Sequence, residues 1–272
     1  MTTDATLILR RLDESARKDI DGIDRFDEIA STNDWLIAQP APEPGRFRFV
    51  IADAQTAGRG LHDRRWSSPK GAGLYLSMSH TFREPPQHLP PLTLALGAEV
   101  ADALCELGVA DVALKWPNDI IVHDAKLGGI LTEARLQPGR SSTVVVGIGI
   151  NVDLPDAVRK QIESARTIKV ADLKECLDTP PPLDEFAAAV IQALIEGSQR
   201  FSGDEAGQWR DAWRRHDWLR GKDVYIEQLG GPVIGTAVGI DEDGALLVCR
   251  DEEVVRVISG TVALQDAPEL AE

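Results

Sequence analysis

The sequence predicts an α/β chain, with α+β character, that ends in a small β-barrel. Three observations carry this expectation. Up to about residue 217, short β-rich segments alternate with stretches of helical periodicity. From Lys222 to Leu264 only short strands and turn residues occur, at a density that suggests a barrel of SH3-like size. A length of 272 residues accommodates one large domain with one small one. The expected divisions are an N-terminal extension at 1–22, a main domain at 23–217, a small domain at 218–266 and a frayed tail at 267–272.

The first 20 or so residues are charged and read as a helical or loosely ordered extension. Ile23 to Ile29 reads as a short strand. Ser31 or Thr32 then caps a helix over Trp35 to Gln39, which Pro40, Pro42 and Pro44 end. Phe47–Ala52 and Leu74–His80 are strand candidates. Leu92 to Leu107 carries apolar residues at helical spacing, with Gly108 as the stop, and should be a core helix. Val112–Trp116, Ile120–His123, Gly129–Arg135 and Thr143–Val152 are short β-rich segments, followed by helices over Asp184–Arg200 and Glu205–Asp217. In the last part, VYIEQL, VIGTAVGI, ALLVC and VVRVI read as strands, with Asp243-Gly244 as a hairpin turn.

Composition excludes several classes. The formal net charge of −15 argues against a broad nucleic-acid surface, which needs a basic face. No apolar run approaches the roughly 20 residues of a membrane helix, and the N-terminus lacks a signal-peptide layout, so a cytoplasmic protein is expected. The three cysteines, Cys105, Cys176 and Cys249, give neither a disulfide framework nor zinc spacing and are expected as small buried hydrophobes. The five histidines show no metal-ligand pattern.

Against the acidic background, Ala52 to Ser77 stands out. Arg59, Arg64 and Arg65 sit among Gly58, Gly60, Gly71 and Gly73. Glycines admit close approach of backbone N–H groups to a ligand, and arginines offer forked donors to oxyanions. A solvated loop has the same composition, so the segment alone decides nothing. In Lys115-Trp116-Pro117-Asn118-Asp119 the proline ends a strand and turns Lys115, Asn118 and Asp119 toward a common space, though Asn-Asp is also an ordinary turn pair. Lys126, with Leu127 between, precedes Gly128-Gly129 and a buried strand, where its ammonium could face an anion or simply solvent. Gly147-Ile148-Gly149-Ile150-Asn151 invites a dinucleotide fingerprint, but Val152 stands at the third glycine and no clear helix follows. A P-loop is absent.

Five features in fixed order, Ser31-Thr32-Asn33, Gln55 to Gly60, the 115–119 motif, Lys126 to Leu131 and Gly147 to Asn151, resemble the biotin–protein ligases (biotin–[acetyl-CoA-carboxylase] ligases) over roughly residues 25–264. The resemblance implies a class II synthetase-like catalytic domain of biotin/lipoyl ligase type with a mixed, largely antiparallel sheet and helices mainly on one face, then the SH3-like barrel. It implies ATP and biotin as substrates with Mg²⁺, a biotinyl-5′-AMP intermediate, and transfer to one lysine of a biotin carboxyl carrier protein. By position, Ser31, Thr32, Asn33, Gln55, Gly58, Arg59, Gly60, Leu61, Lys126 and Gly129 would form the biotin site. Arg59, Arg64, Trp66, Asn118, Lys126 and Asn151 would bind nucleotide. Lys126 is the first candidate for the catalytic residue, with Arg59, Arg64, Lys115 and Asp119 in support. Asp119 would attract Mg²⁺ or orient the carrier lysine.

Two departures from the family pattern matter. Leu61 stands where the loop usually carries an arginine; Arg59, Arg64 and Arg65 are expected to compensate, at some loss of grip on the adenylate. The Ser-Thr-Asn motif also starts too near the N-terminus for the DNA-binding domain of repressor-type members, so no operator binding is expected. Oligomeric state stays open between monomer and homodimer. Two other function classes fit less of the chain: a lipoyl or octanoyl ligase or transferase, whose usual R-R-x-x-G-G-G-like motif is absent, and a non-catalytic biotin- or nucleotide-binding regulator.

Overall fold

The computed structural model describes residues 3–62, 64–84, 89–135, 142–166, 169–202 and 207–265. Helices α1 (Ala5–Arg11) and α2 (Glu14–Asp19) open the chain, each capped by an aspartate side chain, Asp4 and Asp13. They are docked rather than loose. Ile8, Leu12 and Ala16 belong to the main core, and α1 packs against α7 (Leu183–Ser202). Strand β1 (Ile20–Phe26) begins and ends three residues earlier than the expected Ile23–Ile29. It pairs in parallel with β2 (Phe47–Ala52), while Ile29 makes only an isolated bridge to Gln55.

Between them lies α3 (Thr32–Ala38), whose N-cap Ser31 accepts from Asp34 N. The main sheet continues with β3 (Gly73–Thr81), β4 (Val112–Lys115), β5 (Asp119–Val122), β6 (Ala125–Arg135) and β7 (Thr143–Asn151). Its order is β1-β2-β3-β7-β6-β5-β4, antiparallel except for the β1–β2 edge. Strand β6 starts ahead of the expected Gly129, so Lys126 lies within the strand, and a register shift between Ile120 and Ile121 places a bulge at Leu127.

Side-chain alternation divides the work of this sheet. Phe47, Phe49, Ile51, Leu76, Met78, Val144, Val146 and Ile148 point to one face and make the core with α4 (Leu92–Glu106) and α7. Full burial of each large apolar side chain contributes about 1.5–3 kcal/mol. Residues of the opposite parity, Val50 and Val145, carry α3 through Leu36. Farther along that second face the side chains shrink to Ser77, Gly147, Gly149 and Gly129, and a cleft opens there.

A helix does follow β7, contrary to the sequence reading: α5 (Asp156–Arg166) begins after Leu154-Pro155. It is mostly polar and packs only through Val158 and Ile162 on Ala72, Leu154 and Val170, so its apolar periodicity is weak. The short α6 (Leu173–Cys176) comes next, and α8 (Trp209–His216) follows α7. The expected start of α8 near Glu205 lies outside the described residues. The cysteine expectation is corrected: Cys105 is exposed and Cys176 and Cys249 are partly exposed, all of them free. Cys249 is out because the strand alternation buries its neighbour Val248 instead.

The second sheet, β11-β10-β9-β8-β12, is antiparallel throughout and forms the SH3-like unit. Its strands are β8 (Asp223–Glu227), β9 (Val233–Ile240), β10 (Leu246–Arg250), β11 (Glu253–Val257) and β12 (Thr261–Leu264). It meets the main domain through Trp116 Nε1, which donates to the Gly244 carbonyl at 2.9 Å.

Candidate active site

The cleft is built from the second face of the main sheet and the segment that crosses it. Residues 55–62 and 64–68 form a hairpin-like flap rather than a solvated loop. Gln55 N donates to Ser68 O at 3.0 Å, Trp66 N to Gly58 O at 2.9 Å and Gly60 N to Arg64 O at 2.7 Å. Gly58 is required by close approach, since a Cβ there would sit 2.7 Å from the Trp66 carbonyl oxygen. The flap lies over the glycine floor so closely that a Cβ on Gly149 would fall 2.5 Å from Trp66 Nε1.

Two cavities flank Trp66, holding about 930 Å³ and about 1290 Å³ of space with open solvent included. The first is lined by Ser31, Thr32, Asn33, Arg59, Gly60, Leu61, Arg64, Lys115, Asn118, Asp119 and Gly129, with Gly260 and Thr261 from the small domain. The second is lined by Arg65, Ser67, Asn151, Gln161 and Val170 among others. Gln55, Trp66 and Lys126 line both. The structure thus brings most of the sequence-predicted site residues to one cleft. Gly58 lies beneath it in the flap stem, and Asn151 sits on the side of the second cavity.

Many of these side chains are already committed. Ser31 caps α3. Gln55 braces the flap stem: its Oε1 accepts from Thr32 N at 2.9 Å, and its Nε2 donates to Ser68 Oγ at 2.9 Å. Asn151 donates to the carbonyls of Ala171 at 3.0 Å and Lys126 at 3.3 Å, tying β7 to the strand that carries the lysine. Asn118 donates to Ile130 O at 2.8 Å. Arg64 reaches out of the flap to Thr261 Oγ1 at 2.9 Å.

The charged centre is Lys126. Its Nζ pairs with the Asp119 carboxylate across the bulged ladder and stands 5.4 Å from the centroid of the Trp66 ring. Both partners are mostly buried, so the ammonium is held in place with weak solvent screening. Lys115 stands 5.7 Å from the Trp218 ring centroid, at the domain boundary. Trp66 Nε1 is buried without a hydrogen-bond partner. It lies against the Gly149 backbone, and an unmet buried donor costs about 1–3 kcal/mol.

Sequence reasoning missed Glu133. It lies on the cleft face of β6 and pairs with Arg59 from the flap. No local pattern identifies it; the two residues are far apart in the chain and meet only once the sheet forms.

Residues 26–151 match the Biotin/lipoate A/B protein ligase family, and residues 221–265 match the Biotin protein ligase C terminal domain. The Bifunctional ligase/repressor BirA of Escherichia coli is 33% identical, aligned over 88% of this chain and 73% of its own length. The Biotin--[acetyl-CoA-carboxylase] ligase of Mycobacterium tuberculosis is 32% identical, over 88% of each chain. Among solved structures, a biotin protein ligase from Aquifex aeolicus in complex with biotin and ATP superposes with a TM-score of 0.73 at 26% identity, covering 90% of this chain and 99% of that one.

Proposed function

The chain belongs to the biotin protein ligase family, and from that premise we propose that it joins biotin to a carrier-protein lysine by way of biotinyl-5′-AMP. The enzyme is a biotin ligase that uses ATP; the intermediate, the carrier and the residue roles below are the proposal. The observation that carries it is the position of Lys126 and Trp66, which line both cavities and so stand where two bound molecules would meet.

In the first step a carboxylate oxygen of biotin attacks the α-phosphorus of ATP, and pyrophosphate leaves. Two anions must approach each other, which is unfavourable unless positive charge is fixed between them. Biotin fits the first cavity, with its carboxylate toward the junction. The nucleotide fits the second, beside Asn151. Lys126 supplies the ammonium at the junction, and Arg64 and Lys115 add charge from the rim. Trp66, which lines both cavities, would contact both parts of the linked product.

In the second step the amine of the carrier lysine attacks the biotinyl carbonyl carbon, AMP leaves, and an amide forms. The attacking amine must lose a proton, which passes to solvent as AMP departs. Asp119, 18% exposed and facing Lys126, is the carboxylate placed to orient it. Expected carriers are the biotin carboxyl carrier domains of acetyl-CoA carboxylase.

Mg²⁺ accompanies nucleotide phosphates in such reactions, held by one or two carboxylates and by the phosphates themselves. Among the described residues no group of three or more His, Cys, Asp or Glu could hold a metal ion, and Asp119 is engaged by Lys126. The protein alone therefore builds no metal centre among the described residues, and Asp119 would hold Mg²⁺ only together with the phosphates of the nucleotide.

The test is ATP-dependent transfer of biotin to an apo carrier domain, followed by mass spectrometry, with lipoate in place of biotin in a parallel reaction. A mass gain with biotin supports the proposal. Transfer of lipoate instead, or no transfer at all, would sink it.

A further inference from the structure

We infer that Glu133 is a positioning residue, whose carboxylate pins the Arg59 end of the flap (55–62 and 64–68) to the sheet and to α3 and so keeps the flap closed over an acyl-adenylate. The inference rests on the ligase reading above and goes beyond it, because it changes what Arg59 does.

Glu133 Oε2 accepts from Asn33 Nδ2 at 2.9 Å and pairs with Arg59 Nη2. Asn33 is a fixed anchor. It is 4% exposed, its Oδ1 lies 2.5 Å from Ser77 Oγ, and a Cβ on Gly147 would come within 2.3 Å of that same oxygen. Glu133 is therefore oriented from the sheet side before it meets the flap. Asp34, in the first turn of α3, supplies a second carboxylate 2.9 Å from the same Arg59 nitrogen. Two carboxylates facing one guanidinium leave that corner with net negative charge.

Arg59 is thereby a tether of the flap, not the cation that faces phosphate. That duty falls to Arg64 and Lys126. The flap is held at two points: Arg59 to Glu133 and Asp34 on the main domain, and Arg64 to Thr261 of β12 on the small domain. Isolated exposed ion pairs contribute little. This one differs because one partner is oriented by a buried amide and because it closes a flap already strapped by backbone hydrogen bonds.

Two variants separate the effects. Glu133→Gln keeps an acceptor for Asn33 but turns an amide N–H toward Arg59; Glu133→Ala removes both. The first readout is tryptic cleavage after Arg64 and Arg65 in the ligand-free protein, which does not depend on any activity. The second is the release rate of biotinyl-5′-AMP from the preformed complex, with the melting temperature measured alongside. Glu133→Gln should raise the cleavage rate and the release rate at least fivefold, with a melting temperature within about 2 °C of the parent protein. Arg59→Ala should give the same increases and add little to Glu133→Gln in the double variant. Unchanged cleavage and release in Glu133→Gln, or full additivity of the two substitutions, would overturn the inference. A parent protein that forms no biotinyl adenylate would count against the ligase reading alone, and the cleavage rates would still decide the tether.

Discussion

Gly129 of β6 lies directly opposite Gly149 of β7, and the absent side chain of Gly149 lets the Trp66 indole rest on the sheet. The two positions differ in tolerance. A Cβ on Gly149 would meet the Trp66 indole at 2.5 Å, whereas one on Gly129 would meet its nearest neighbours at 3.6 Å, an ordinary contact. Gly149→Ala should displace Trp66 at a cost of about 1–3 kcal/mol and raise the KM for ATP by roughly an order of magnitude. Gly129→Ala should leave that KM within about a factor of three. Steady-state kinetics on the two variants checks this; equal effects would show that Trp66 does not depend on the floor.

Asp119 separates the two half-reactions. Its carboxylate neutralises Lys126 before ligand arrives and is proposed to orient the incoming amine afterwards. Asp119→Asn should retain adenylate formation and lose about 10²-fold or more in transfer to the carrier lysine. Single-turnover measurement of each step distinguishes this outcome from a uniform loss.

Leu61 lines the cleft where a further cation would strengthen the hold on the adenylate. Leu61→Arg should slow release of biotinyl-5′-AMP and reduce biotinylation of lysines on unrelated proteins added in excess. An unchanged or faster release rate would contradict this.

Stability should fall in acid through His80. The ring is 3% exposed, stacks on Phe47 at 4.0 Å and lies within hydrogen-bond distance (3.0 Å) of the Arg46 carbonyl through Nδ1. Burial holds its pKa down at about 4, below the ordinary value of 6.5. The unfolded chain therefore takes up this proton first as pH drops. The contribution is fully present above about pH 6.5, declines between there and about pH 4, and amounts to roughly 3 kcal/mol at most. Urea denaturation across that range should show a shallower acid slope in His80→Phe than in the parent protein, although the variant starts from a lower stability because the Arg46 carbonyl loses its side-chain partner.

Local chemistry made much of this protein legible from sequence. The Ser31 cap, the strands of the main sheet and the turn at Pro117 all follow from residues near one another. What escaped was set by distant partners. Ile8 gives little periodicity in a seven-residue helix and is buried where α1 packs on α7 and β1. Strand β12 is four residues long and is defined by pairing with β8. In the site, the motif residues converge as expected, yet their roles were less legible than their positions. Gln55, Asn151 and Arg59 look like ligand contacts in sequence, and in the structure their polar atoms brace the protein itself.

The central claim is that the Lys126 ammonium lets a biotin carboxylate reach the α-phosphorus of ATP. Biotin-dependent exchange of labelled pyrophosphate into ATP reads that step alone, without a carrier. The parent protein should catalyse exchange with biotin and not with lipoate, and Lys126→Ala should lose about 10²–10³-fold while keeping its melting temperature. Undiminished exchange in a folded Lys126→Ala protein would contradict the account.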